Sequence, residues 1–309
     1  MSINWYPGHM HKATGEMRKL LPEIDIIIEV LDARIPYSSQ NPVIAQFAEG
    51  KPQIKLLNKS DLADPAITEL WIEHFNQAPN TRAMAIHQQQ FDRIANIMDL
   101  CLKLAPPRSE IRPSQALITG IPNVGKSTLI NQWAGRSIAK TGNEPAVTKM
   151  QQRIKISDQL ALIDTPGILW PKFENQNSAY RLAATGAIKD TAISYDDIAY
   201  FTIDFLQNHY AEELKQRYNL PDLATTELAA LEQIGRVRGC LVAGNRVDLN
   251  KVGKLLLNDL RSGKIGLISL ETPAIAIKEA QQVALILQQK EDEKKAKKAE
   301  RLAKHKNKM

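Results

Sequence analysis

Gly120-Ile121-Pro122-Asn123-Val124-Gly125-Lys126-Ser127 fits the pattern Gly-x4-Gly-Lys-Ser/Thr without a gap, and Asn58-Lys59-Ser60-Asp61 stands upstream of it. The first stretch follows an apolar run at 116–119 and precedes a helical pattern carrying Leu129 and Ile130. Its glycines let backbone amides close around phosphate oxygens, and the helix start adds a favourable dipole. Lys126 supplies a point charge to the outer phosphates, and the Ser127 hydroxyl suits Mg2+. Asp164-Thr165-Pro166-Gly167 follows the apolar run 160–163. An Asp at a strand end can hold a Mg2+-bound water, while the Gly167 amide can reach the γ-phosphate. Between the two motifs, Thr148 is the candidate switch threonine that ligates Mg2+ when the loop 136–149 closes, with Thr141 as its competitor.

The base is read by a different residue set. A carboxylate can accept from guanine N1–H and the N2 amine together, whereas adenine would leave that carboxylate unsatisfied. Guanine-selective sites use Asn-Lys-x-Asp at a strand end, normally downstream of Asp-x-x-Gly. The downstream candidate here, Asn245-Arg246-Val247-Asp248, has Arg in place of Lys. Its Asp248 also stands where an N-cap would start the periodic helix Leu249, Val252, Leu256, Leu260. The full match is Asn58-Lys59-Ser60-Asp61, directly after the apolar run 54–57. Three strands with the base-reading loop therefore come first, and three strands with the phosphate loop and switches follow. That is a GTPase sheet cut and rejoined at a surface loop, a circular permutation of the kind compact domains tolerate.

The apolar runs at 24–31, 53–57, 82–86, 116–119, 153–156 and 160–163 read as strands, apolar on both faces. Helical stretches at 42–49, 65–75, 91–104 and 126–134 alternate with them, which predicts a mostly parallel sheet covered on each side. Pro106-Pro107 and Pro113 mark a linker. Beyond about Pro171 the pattern turns helical, at 196–220, 226–237, 248–260 and 274–287. The expected fold is α/β: a circularly permuted P-loop GTPase domain with a six-stranded, mostly parallel sheet and flanking helices, followed by a small all-α domain. The expected boundaries are 1–175 for the GTPase domain (base-recognition half 1–105, phosphate-loop and switch half 114–175), 176–287 for the helical domain and 288–309 for a basic tail.

The 309 residues are 43% hydrophobic and 24% charged, enough apolar surface for a proper core. Two cysteines, Cys101 and Cys240, lie far apart, which excludes a disulfide scaffold and a zinc module as organising principles. No signal-peptide core and no membrane-length apolar run is present, so a soluble, cytoplasmic protein without membrane partners is expected. Of the net charge of +6, residues 288–309 hold +5. Such a segment cannot bury enough surface to fold alone; it is either a solvated tail or an electrostatic contact that becomes helical on nucleic acid.

With these motifs in place, the chain resembles the circularly permuted ribosome biogenesis GTPase A family (YlqF/RbgA). The resemblance covers nearly the whole sequence. It rests on Trp5-Tyr6-Pro7-Gly8-His9-Met10, Asp32-Ala33-Arg34-Ile35-Pro36, the two nucleotide motifs, the stretch from Asp164 through Trp170-Pro171-Lys172-Phe173, Arg238-Gly239-Cys240-Leu241 and Asp259-Leu260-Arg261-Ser262-Gly263-Lys264. It implies hydrolysis of GTP to GDP, coupled to late assembly of the large (50S) ribosomal subunit and stimulated by ribosomal particles. It also implies a helical domain touching rRNA. Two positions depart from the family: Pro145-Ala146-Val147-Thr148 has Ala where Gly is usual, and Ala85-Ile86-His87 lacks a common serine.

The expected nucleotide-binding set is Asn58, Lys59, Asp61, Asn123, Val124, Gly125, Lys126, Ser127, Thr128 and Gly167, with Ser127, Thr148 and Asp164 around Mg2+. Lys126 and Thr148 are expected to act in catalysis. Asn123 is the candidate contact to a K+ held against the phosphates. Where Ras-like proteins carry a water-orienting glutamine, this chain has Ile168, so His9 is the candidate to polarise the attacking water. The expected partner is a large-subunit precursor and its rRNA, met by a monomer. Two alternatives stay open: an RNA-binding factor using GTP as a structural ligand with negligible turnover, and a P-loop ATPase or small-molecule kinase, against which Asn58–Asp61 speaks.

Overall fold

The computed structural model describes residues 6, 8–48, 50–87, 90–109, 112–138, 152–192 and 194–306. Strand β1, Ile26–Asp32, is buried along its whole length, its edges paired by neighbouring strands and its faces covered by helices. Parallel β2 (Gln53–Asn58) lies on one side and parallel β4 (Ser114–Gly120) on the other. Strand β3 (Thr81–Ala85) extends the sheet beyond β2, and β6 (Leu160–Asp164) extends it beyond β4, both in parallel. Antiparallel β5 (Gln152–Lys155) closes the far edge, giving the order β3-β2-β1-β4-β6-β5. The strand leading into the phosphate loop is thus fourth in the chain yet central in the sheet, as a rotated chain order requires.

These strands are not wholly apolar: Glu29 of β1 and Lys55 of β2 form a buried ion pair, 2.5 Å apart. The six strands otherwise form where the apolar runs lie. The sheet is flanked by helices α1 (Gly8–Leu20), α2 (Pro42–Phe47), α3 (Pro65–Asn76), α4 (Phe91–Leu104) and α5 (Lys126–Ala134). Asn41 caps α2 and Asp64 caps α3, each accepting from the first-turn amides. Helix α1 buries Met10, Ala13 and Met17 in the main core.

Asn175 caps α6 (Gln176–Ala184), which opens the helical part. There α7 (Tyr195–His209) and α8 (Ala211–Tyr218) are separate helices, broken at Tyr210 with φ −139° and ψ 40°, where the sequence reads as one periodic stretch from 196 to 220. Helix α9 (Glu227–Val237), the hairpin β7 (Leu241–Val242) and β8 (Arg246–Val247), and α10 (Leu249–Arg261) follow. Asp248 accepts from the Lys251 amide as the N-cap of α10, and Asn245 sits in the hairpin turn with φ 58°.

The last helix, α11 (Pro273–Lys306), runs through residues 288–306 without a break. This corrects the expectation that the basic segment needs a polyanion to become helical. Its Lys, Ala, Glu and Gln residues are strong helix formers, and the packed start of α11 supplies the nucleus that a free peptide lacks. The Lys295–Glu291 pair at 3.0 Å adds i,i+4 support. Among the described residues no helix is long and apolar enough to cross a membrane.

Candidate functional site

Asp32, Asn58, Gly120 and Asp164 end β1, β2, β4 and β6, so four parallel strands deliver polar groups to one edge of the sheet. The chain runs outward in opposite directions from the β1–β4 boundary, which makes this edge the crevice where open α/β sheets bind ligands. The loop from Gly120 to Gly125 turns there into α5. Asn123 (φ 58°) and Gly125 (φ 94°) both lie in the left-handed region. A Cβ on Gly125 would fall 2.3 Å from Asn58 Nδ2, so only glycine fits.

Asn58 donates from Nδ2 to the Val124 carbonyl at 2.7 Å, tying the upstream motif to the phosphate loop. Lys59 follows in the left-handed conformation (φ 60°) and donates to Asp32 Oδ2 at 3.0 Å. Ser60 donates from its hydroxyl to the Ile86 carbonyl, joining the turn to the segment after β3, and Asp61 is exposed beside it. Burial alone would push the Asp32 carboxyl up, but the Arg34 guanidinium and Lys59 ammonium beside it hold it well below the usual carboxylate range. Burial also pulls the Lys59 ammonium down, against the opposing pull of Asp32.

At the phosphate end, Lys126 and Asp164 form a buried ion pair. The second carboxylate oxygen of Asp164, Oδ2, is buried with no hydrogen-bond partner among the described residues. Ser127 and Thr128, in the first turn of α5, are half-buried. The Asp164 carboxylate with its orphaned oxygen and the Ser127 hydroxyl in the first turn of α5 are oxygen donors of the kind Mg2+ takes, and the Lys126 ammonium is suited to the phosphate itself. A Cβ on Gly167 would meet Pro122 Cα at 3.0 Å, and the Ile168 amide donates to the Gly120 carbonyl at 3.2 Å. The segment after β6 therefore lies directly against the phosphate loop. Ile168 is fully buried, and its side chain has no hydrogen-bonding atom to offer a water.

Asn123 donates from Nδ2 to the Gly186 carbonyl at 2.9 Å, a contact between the phosphate loop and the turn after α6. Thr148 and Thr141 lie outside the described residues. His9 belongs to α1, and its side chain is likewise outside them. Its neighbour Met10 is buried and receives the Leu169 amide on Sδ at 3.4 Å, so the first turn of α1 abuts the segment after Asp164. The geometry thus brings together Asn58, Lys59, Val124, Gly125, Lys126, Asp164 and Gly167. The Asp32–Arg34–Lys59 cluster is absent from the motif reading as a site, although Asp32-Ala33-Arg34 at a strand end was its visible signal.

The chain is similar to known proteins in sequence and in fold. A family model described as "50S ribosome-binding GTPase" matches residues 115–232. A protein of Priestia megaterium named Ribosome biogenesis GTPase A is 44% identical over 285 residues, covering 89% of this chain and 99% of that protein. Its namesake from Thermotoga maritima is 31% identical over 271 residues, covering 88% and 95%. A crystal structure of GNP-bound YlqF from T. maritima superposes with a TM-score of 0.61 at 25% identity, covering 85% of this chain and 98% of that one.

Proposed function

Because the chain belongs to the ribosome biogenesis GTPase A family, we propose that its GTP hydrolysis serves late assembly of the large (50S) ribosomal subunit, with turnover raised by ribosomal particles. The observation that carries the nucleotide reading is the Asn58–Val124 bond, which joins a base-reading loop to a phosphate loop at one sheet edge. Asp61 reads the guanine N1–H and N2 amine, and Asn58 and Lys59 shape the pocket around the base. Backbone amides of 123–128 and the Lys126 ammonium hold the phosphates, with GDP retained by the same groups after hydrolysis.

Ser127, Asp164 through a water, and Thr148 would hold Mg2+, which supplies positive charge to the outer phosphate oxygens when bound. Lys126 is ion-paired with Asp164; its ammonium would meet the outer phosphate oxygens, and the Asp164 carboxylate would hold the metal through a water. Asn123 is assigned a K+ against the phosphates. Ile168 leaves the attacking water without the usual side-chain partner, and His9 is assigned that role as acceptor of its proton. The contact of Met10 with Leu169 supports this assignment, since it brings the start of α1 to the segment after Asp164. We divide the chain into a GTPase domain at 1–175, a helical domain at 176–287 that meets rRNA, and a basic extension at 288–309. The protein works as a cytoplasmic monomer.

GTP turnover measured with and without large-subunit precursors tests the reading. Turnover should rise on the particles, and His9→Ala should lose the stimulated rate while keeping GTP affinity, the mark of a transition-state interaction. Particles that leave turnover unchanged would remove the coupling of hydrolysis to assembly. An unaltered stimulated rate in His9→Ala would pass the water to another group.

A further inference from the structure

Asp32 ends β1 directly opposite Asn58 in the parallel β1–β2 register, and it is buried. Four donors converge on its carboxylate. Arg34 gives Nε to Oδ1 at 2.8 Å, Nη2 to Oδ2 at 2.7 Å and its own amide to Oδ1 at 3.1 Å, and Lys59 gives Nζ to Oδ2 at 3.0 Å. The Arg34 fork is thus bidentate, the arrangement that fixes a carboxylate's orientation most firmly. Arg34 is itself 1% exposed, and its remaining nitrogen, Nη1, is buried without a partner among the described residues. Above this cluster Lys59 holds a left-handed backbone that a non-glycine residue adopts only when its surroundings impose it.

The chain around the cluster is anchored on every side. The Ala33 amide donates to the Asn58 carbonyl at 2.8 Å, the Asp32 amide donates to Ser39 Oγ at 3.1 Å, and the Arg34 carbonyl accepts from the Leu270 amide at 2.8 Å. The buried Asp32 anion thus has two cationic partners, one rigid and one belonging to the turn that carries Asp61.

We propose that Asp32 and Arg34 are positioning residues for guanine recognition. Arg34 locks the Asp32 carboxylate, Asp32 holds the Lys59 ammonium, and the fixed Lys59 backbone presents Asp61, two residues on, to the base. This rests on the reading that Asn58-Lys59-Ser60-Asp61 contacts guanine. Asp61 distinguishes guanine from hypoxanthine, which lacks the N2 amine, so a misplaced Asp61 costs GDP more than IDP. Damage to the phosphate loop or to the fold would weaken both nucleotides alike.

The test compares GDP and IDP affinities of the full-length protein by calorimetry for Asp32→Asn, Arg34→Lys and Lys59→Met. Each variant should lower the GDP:IDP affinity ratio, by about tenfold for Asp32→Asn. In the Lys59→Met background, Asp32→Asn should change the ratio no further, because its effect passes through Lys59. A folded Asp32→Asn with an unchanged ratio, an equal loss for both nucleotides, or additive effects in the double variant would overturn the proposal. If Asp32→Asn does not fold, Arg34→Lys, which keeps the charge and loses the bidentate fork on Asp32, decides the matter in the same way. Asp61→Asn, run in parallel with XDP, reports on the underlying reading. If it neither loses GDP nor gains XDP, the loop assignment fails; if it does both while the Asp32 and Lys59 variants keep the ratio, only the positioning role fails.

Discussion

Asp61 stands on a turn whose neighbours are all committed: Asn58 to the phosphate loop, Lys59 to Asp32, Ser60 to the Ile86 carbonyl. Asp61→Asn should therefore change the chemistry offered to the base without moving the turn. GTP affinity should fall by about 2–4 kcal/mol, since a charge-assisted pair is lost in a desolvated contact. Affinity for xanthosine triphosphate should rise, its 2-oxo group accepting from the new amide. Titration with both nucleotides measures the exchange; normal GTP binding would return attention to Asn245–Asp248. At this scale the sequence discloses residues whose partners are near in the chain. Gly120 to Ser127, Asp164 to Gly167 and Asn58 to Asp61 are legible because each is a motif of fixed local spacing. The contacts Lys59–Asp32, Asn123–Gly186 and Asn58–Val124 join distant segments, and no spacing encodes them.

Elements were legible in proportion to the length and regularity of their apolar pattern. Strands β1, β2, β4 and β6 carry apolar runs, β3 and β5 are more mixed, and α3, α4 and α5 carry clear helical spacing. By contrast, α1 and α6 are not evident in that reading. Among the described side chains α1 buries Met10, Ala13 and Met17, and α6 buries mostly small residues and Arg181, whose burial depends on partners far along the chain. The Asn175 cap was the available signal for α6. Helix α11 is the opposite case, where propensity extends a helix past the point at which burial stops. Residues 288–309 carry +5, and the helix runs through 288–306 of them. Deleting 290–309 should weaken co-sedimentation with large-subunit particles mainly at low salt and flatten its salt dependence. Each phosphate neutralised contributes about 0.7–0.9 to that logarithmic slope. GTP binding by the free protein should not change. Equal sedimentation of the full-length and shortened proteins at low ionic strength would identify the extension as a solvated tail.

Across the whole molecule, one of the ties between the helical part and the sheet runs through a buried cation. Arg181 of α6 donates to both oxygens of Glu279 on α11 at 2.8 Å and to the Leu270 carbonyl at 3.0 Å, and it lies 3.3 Å from Glu271. Glu271 in turn accepts the Ser38 amide at 2.8 Å, in the loop between β1 and α2. The two carboxyls respond to this setting in opposite directions. Burial pushes Glu271 up; burial also acts on Glu279, but hydrogen bonds from Arg181, Asn175 and Asn177 outweigh it and hold that carboxyl below its ordinary 4.5. A depressed carboxyl contributes stability that is present above its unfolded value and lost as pH falls through the folded one. Glu279→Gln should therefore lower the melting temperature by a constant amount above about pH 5, and the gap should close in acid. Thermal unfolding of both proteins from pH 7 downward checks this; a gap that widens in acid would contradict the assignment.

The position of β4 between β1 and β6 also has a consequence for how the chain is made. Residues 26–85 carry β1, β2 and β3, a contiguous three-stranded unit that leaves the translating machinery before 114–120 do. Until β4 arrives, one edge of β1 offers the backbone of Ile26-Ile27-Ile28-Glu29-Val30 unpaired, a largely apolar strand edge of the kind that recruits foreign strands. In the unrotated order the phosphate-loop strand would be waiting when that edge appeared. Rearranging the gene order of the two halves leaves the finished site intact, yet it gives the nascent chain an interval in which its most adhesive strand is guarded only by β2 on one side and by whatever holds newborn chains apart on the other.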